Sequence, residues 1–151
     1  MEKTMFCYQC QETAKGSGCT VTGVCGKDDV TGAYQDALIY LLKGLAAKNI
    51  SAKKEDQADV GLLVAESLFM TLTNVNFDKA AIWDRITEVT RLRDAIKTDN
   101  CPAHDSCTVI FKNEEDILKN VSKTGVLATK DEDIRSLREL LIYGLKGIGA
   151  Y

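Results

Sequence analysis

The sequence predicts an all-α fold: a three-helix bundle with an irregular N-terminal cysteine lobe and an additional C-terminal helix from a truncated second bundle. Three observations predict it. Apolar residues recur at spacings of three and four over four separate segments. The stretches between them are polar and carry residues that cap helices. The only proline, Pro102, lies in the least regular part of the chain. The expected division is a cysteine lobe over residues 1–33, a bundle over 34–97, a linker with a short helix over 98–128, and the terminal helix over 129–151.

The first helix is expected over Tyr34 to Lys48, where Ala37, Leu38, Leu41, Leu42 and Leu45 make one apolar face. Asn49, Ile50, Ser51 and the charged run Lys53-Lys54-Glu55-Asp56 mark a polar connection. A second helix follows from about Gln57 to Thr73, with Val60, Val64, Leu68 and Leu72 in one stripe and Leu63 and Phe69 widening it. Asn74 to Asp78 forms the turn, and Asn76 or Asp78 supplies the cap of a third helix through Ile82, Ile86, Val89, Leu92 and Ile96 to about Lys97. Three such helices with short connections pack antiparallel. Residues Thr98 to Lys112 read as a surface loop, Asn113 caps a short helix through Val121, and Gly125 ends it.

Thr129 and Glu132 stand three apart, as a capping box requires, and open the last helix, which carries Ile134, Leu137, Leu141 and Ile148. Its segment Leu141-Ile142-Tyr143-Gly144-Leu145-Lys146-Gly147-Ile148 matches Leu38-Ile39-Tyr40-Leu41-Leu42-Lys43-Gly44-Leu45, an internal repeat. A repeated first helix without a second or third to follow implies an incomplete second bundle. The terminal helix is expected to complete a four-helix arrangement with the first bundle or to pair between chains as a homo-oligomer, because an isolated amphipathic helix gains little from propensity.

Four cysteines, Cys7, Cys10, Cys19 and Cys25, are spaced C-x2-C-x8-C-x5-C and threaded with Gly16, Gly18, Gly23 and Gly26. Iron in an iron–sulfur cluster prefers thiolate, and Cys-x2-Cys lets two sulfurs reach one cluster from a tight turn. Glycines permit the turns that bring Cys19 and Cys25 back, and they leave backbone amides near the sulfurs. The set suits either a [4Fe-4S] or a [2Fe-2S] cluster, and a closed structural zinc site is the competing reading. A further alternative is a site left empty if the protein is prepared in air.

The formal net charge of −3 leaves no basic surplus for a phosphate backbone, so nucleic acid is excluded as a partner. An acidic electron carrier suits a basic patch on an electron-donor redox protein. No apolar stretch reaches the length of about 18 residues that spans a membrane, and no signal-peptide core precedes the cysteines. The expectation is a cytoplasmic protein with no membrane partner, in which clustered cysteines bind metal rather than form disulfides. Cys101, His104 and Cys107 in C-P-A-H-D-S-C offer three soft ligands in a loop and are read as ordinary surface or partly buried residues. Asp36, Glu66, Asp84 and Asp94 are read as solvated carboxylates on helix faces, and Tyr40, Lys43, Tyr143 and Lys146 as helix edges.

Met5 to Lys27, M-F-C-Y-Q-C-Q-E-T-A-K-G-S-G-C-T-V-T-G-V-C-G-K, closely resembles the N-terminus of the hybrid cluster protein family, also called hydroxylamine reductase or prismane protein. The resemblance continues through T-N-V-N-F-D at Thr73 to Asp78, G-V-L-A-T at Gly125 to Thr129, and D-I-R-S-L-R-E-L-L-I-Y-G-L-K-G-I at Asp133 to Ile148. It implies that Cys7, Cys10, Cys19 and Cys25 bind a near-surface [4Fe-4S] cluster in a helical domain of two crossed three-helix bundles. In the family, hydroxylamine is reduced to ammonia, and nitric oxide is thought to be reduced under nitrosative stress. That chemistry takes place at a second, hybrid cluster held by later domains with no counterpart here. The resemblance therefore implies an electron-relay module whose partners include the remaining domains of the parent enzyme, with no catalytic residue of its own.

Overall fold

The structure is a computed structural model and describes residues 5–52, 58–73, 75–98, 101 and 105–151. It is all-α. Among the described residues six α-helices run in the order α1 (Asp29–Ser51), α2 (Ala58–Met70), α3 (Lys79–Ala95), α4 (Glu114–Lys119), α5 (Val121–Thr124) and α6 (Glu132–Gly149). Short 3₁₀ turns stand at Ala14–Gly16, Asp105–Cys107 and Val126–Ala128. The charged run at 53–56, Asn74, Pro102 and His104 lie outside the described residues.

Helix α1 is the hub, and its sequence explains why. Tyr34, Ala37, Leu38, Leu41, Leu42 and Leu45 are buried together with Thr31, Gln35 and Asn49, so the helix is covered on nearly every side, as a helix apolar on several faces must be. It begins earlier than periodicity suggests because Asp28 caps it, accepting the Thr31 N–H at 2.6 Å. The same carboxylate meets Lys79 Nζ at 3.2 Å and so ties the starts of α1 and α3. Asp78 caps α3 by accepting the N–H groups of Ala80 and Ala81, as the sequence predicts. Ile82, Ile86 and Val89 then bury against α1 in one core with Leu63, Leu68, Phe111 and Ile117.

The chain between α3 and α4 is pinned where the sequence suggests only a loop. Arg93, fully buried, donates Nη1–H to the Ser106 carbonyl at 2.9 Å and Nε–H to Asp94 at 2.9 Å. Cys101 and Cys107 are joined by a disulfide, a correction to their reading as separate side chains. The turn at Asp105–Cys107 folds the chain back, which brings their Cα atoms to 6.9 Å, within bridging reach. Asn113 caps α4 as expected, accepting the Asp116 N–H, but the short helix breaks at Asn120 into α4 and α5.

One expectation for the terminal helix changes, its capping box. Its cap is Asp131, which accepts the Ile134 N–H at 2.9 Å, while Thr129 instead accepts from Arg138 and its carbonyl from Arg135. The stripe of Ile134, Leu137, Leu141 and Ile148 stays exposed. Helix α6 packs on α2 through its other side, with Gly149 close against the Ala65 carbonyl and the Phe69 side chain, and Lys146 on the Thr71 carbonyl at 3.3 Å. Glycine allows that approach because no side chain stands between the two backbones.

Candidate metal centre

The cysteine lobe is built from a turn and a bridge. Cys7 and Cys19 pair antiparallel, exchanging N–H···O bonds of 3.0 and 2.8 Å, so residues twelve apart in sequence stand side by side. Thr13 closes the intervening loop by donating its hydroxyl to the Cys7 carbonyl at 3.1 Å. Gly26, at φ +90°, turns the chain sharply after Cys25, a backbone state that L side chains avoid. At Gly23 a Cβ would stand 2.9 Å from the Cys25 sulfur, so glycine keeps the space beside that thiol clear.

All four cysteines are free thiols, and all four line one small cavity. Thr13, Gly23, Val24 and Lys27 complete its wall, and Thr73 and Phe77 close it from the α2–α3 connection. Cys19 is buried and the other three are half-buried. The Cys19 sulfur accepts the Ala14 N–H at 3.4 Å, and this bond is the largest of the effects that lower its pKa. Burial opposes the shift, while the Val24 backbone, the Thr13 hydroxyl and the Lys27 charge add to it. A thiol held toward its thiolate is the form that binds metal. Among the described residues, no group of three or more His, Cys, Asp or Glu side chains is placed to hold a single metal ion.

Beneath the lobe lies a set of charges, two buried lysines and a half-buried carboxylate, that the sequence did not reveal. Lys27 is only 6% exposed, and its Nζ donates to the Cys7 sulfur at 3.5 Å and to Gln35 Oε1 at 3.0 Å. Gln35 in turn donates to the Asn76 carbonyl at 3.1 Å, which links the lobe, α1 and the α2–α3 connection. Lys146, read from sequence as a helix edge, is 1% exposed. Burial and the neighbouring Lys27 push its pKa down to about 8, against the pull of Asp36, Glu139 and Cys7.

Asp36, half-buried on α1, is the third member and departs from the reading of the helix carboxylates as solvated, of which Glu66, Asp84 and Asp94 are exposed as expected. Burial raises its pKa from 3.8 to about 7; Lys27, Lys146 and Lys43 pull it down and Glu139 pushes it up. A carboxyl whose folded-state pKa lies above its unfolded value stabilises the fold fully below about pH 4, and that contribution is lost as the pH rises through about 7. Asp36→Asn is therefore expected to narrow the stability difference between about pH 5 and about pH 8 in urea unfolding. An unchanged difference would show that Asp36 is solvated.

Residues 5–151 match the family model described as Prismane/CO dehydrogenase family. The chain is 46% identical over 158 residues to the hydroxylamine reductase of Desulfitobacterium hafniense strain DSM 10664 / DCB-2, which covers 98% of this chain and 29% of that protein. It is 46% identical over 157 residues to the hydroxylamine reductase of Thermoanaerobacter pseudethanolicus, with coverages of 98% and 29%. For that of Bacteroides thetaiotaomicron the figures are 46% over 155 residues, 98% and 28%. The chain thus spans less than a third of the length of these curated relatives.

Proposed function

Because the chain belongs to the Prismane/CO dehydrogenase family, we propose that it is the N-terminal electron-transfer module of a hydroxylamine or nitric oxide reductase, holding a [4Fe-4S] cluster on Cys7, Cys10, Cys19 and Cys25. The observation that carries this reading is the gathering of four free thiols, drawn from nineteen consecutive residues, around one cavity. The donor set fits the group: sulfur ligands, one thiol already shifted toward thiolate, and an ammonium beside another. When bound, the cluster supplies one-electron carriage.

The residues around it do the rest. The Ala14 N–H and the Lys27 ammonium donate toward Cys19 and Cys7, which stabilises negative charge on sulfur. Phe77 and Thr73 close the cavity from the α2–α3 connection, while Val24 on its wall stays exposed, where a redox partner can approach. The void that the four cysteines line is about 10 Å³, room for about one water, so holding a core of several atoms would require the thiols to move apart.

Anaerobic metal and sulfide analysis tests the proposal. The expected result is about four iron and about four acid-labile sulfide per chain, with brown absorbance. Stoichiometric zinc without sulfide would instead establish a closed structural site and remove the electron-transfer role.

A further inference from the structure

We propose that Lys27 and Lys146 are positioning residues that raise the reduction potential of the cluster by holding two enclosed positive charges on the Cys7 side of its cavity. This rests on the cluster reading above and adds to it what the helical body contributes. The two lysines come from opposite ends of the sequence, yet both are closed off from solvent, at 6% and 1% exposure. A buried ammonium is costly unless an opposite charge stands near it.

Apart from the Cys7 sulfur, the atoms that directly meet the two ammonium groups carry no charge. Lys27 has the neutral Gln35 amide and the Cys7 sulfur; Lys146 has the neutral Thr71 carbonyl. The carboxylates that act on Lys146 are Asp36, which also acts on Lys27, and Glu139, both only half-buried. An anionic thiolate core at Cys7 would lie directly against the Lys27 ammonium, and adding an electron to it meets positive charge already in place. In that step one electron enters from an external reductant, no bond is made or broken, and no proton is required. Net charge and hydrogen bonding at the sulfurs are among the factors that set the potential of such clusters. Helix α6, through Lys146, thereby acts on a site whose ligands all lie in the first 25 residues.

Redox titration of the anaerobically reconstituted protein with dithionite, read by absorbance and by the paramagnetic signal of the reduced cluster, tests this. At the potential where the wild type is half reduced, Lys27→Met is expected to show a reduced-to-oxidised ratio at least tenfold lower, which is about 59 mV for one electron. Lys146→Met shifts in the same direction by less, the arginine variants of both remain near wild type, and Lys79→Met, which removes an exposed cation beside Asp28, leaves the ratio unchanged. Should Lys27→Met fail to load, Lys27→Gln and Lys146→Met carry the comparison. A wild type that takes up no iron and sulfide overturns the cluster reading and this inference together. Loaded methionine or glutamine variants that titrate with the wild type overturn this inference alone.

Discussion

Cys19→Ser is expected to abolish cluster assembly, with cluster absorbance and bound iron falling more than tenfold while the helical content stays near wild type. Cys19 is the most enclosed of the four thiols and is paired with Cys7 through two backbone hydrogen bonds, so its β-carbon cannot move to compensate for a poorer ligand. A serine hydroxyl is harder, smaller and far less acidic than a thiol, and it makes a weak ligand for iron in a sulfide core. The Ala14 N–H that favours a thiolate would find an alcohol oxygen instead. The helical body is built on a core that does not include this residue, which is why its circular dichroism should persist. Retention of iron, sulfide and colour in Cys19→Ser would remove this residue from the ligand set.

Gly44→Ala is expected to lower stability by about 2–3 kcal/mol, seen as a lower midpoint in urea at an unchanged slope. A Cβ at this point on α1 would run into the Ser106 carbonyl and the Cys107 amide, which are backbone atoms of the Asp105–Cys107 turn. That turn has little freedom to recede. Arg93 holds the Ser106 carbonyl, the disulfide holds Cys107, and Lys123 pairs with Asp105 from α5. The contrast is Gly61→Ala on α2, where an added methyl meets nothing within 4 Å and is expected to stabilise by about 0.5–1 kcal/mol through helix propensity. Equal midpoints for Gly44→Ala and wild type would mean that α1 and the turn are not in close contact.

Much of this protein was readable from local pattern. The spacing of Leu38, Leu41, Leu42 and Leu45 and of Ile82, Ile86 and Val89 gave the buried sides of α1 and α3, because apolar residues recurring with the helical period have one face to hide. Asp78 and Asn113 were recognisable as caps because a short polar side chain before an apolar run has the first-turn amides within reach. Thr129 was not the cap of α6, since Asp131 stands two residues closer to the first turn and accepts more strongly. The four cysteines could be singled out as one set from their spacing and glycines, and the fold brings them around one cavity. Nothing in the spacing of Cys101 and Cys107 required a disulfide; the fold-back of the turn between them brought it about.

The repeated segment shows where local pattern stops. Tyr40, Lys43 and Gly44 recur as Tyr143, Lys146 and Gly147 in helices of the same kind, so by sequence the two lysines are equivalent. In the fold, Tyr40 is buried and Lys43 exposed, whereas Tyr143 is exposed and Lys146 is enclosed. Periodicity fixes which residues share a face of a helix, and the sequence alone determined the helices, their principal caps and the cysteine set. Which face meets a neighbour is decided by the elements that pack there. The lobe, α2 and the start of α1 converge on Lys146, and only that convergence places two lysines and Asp36 under the thiols.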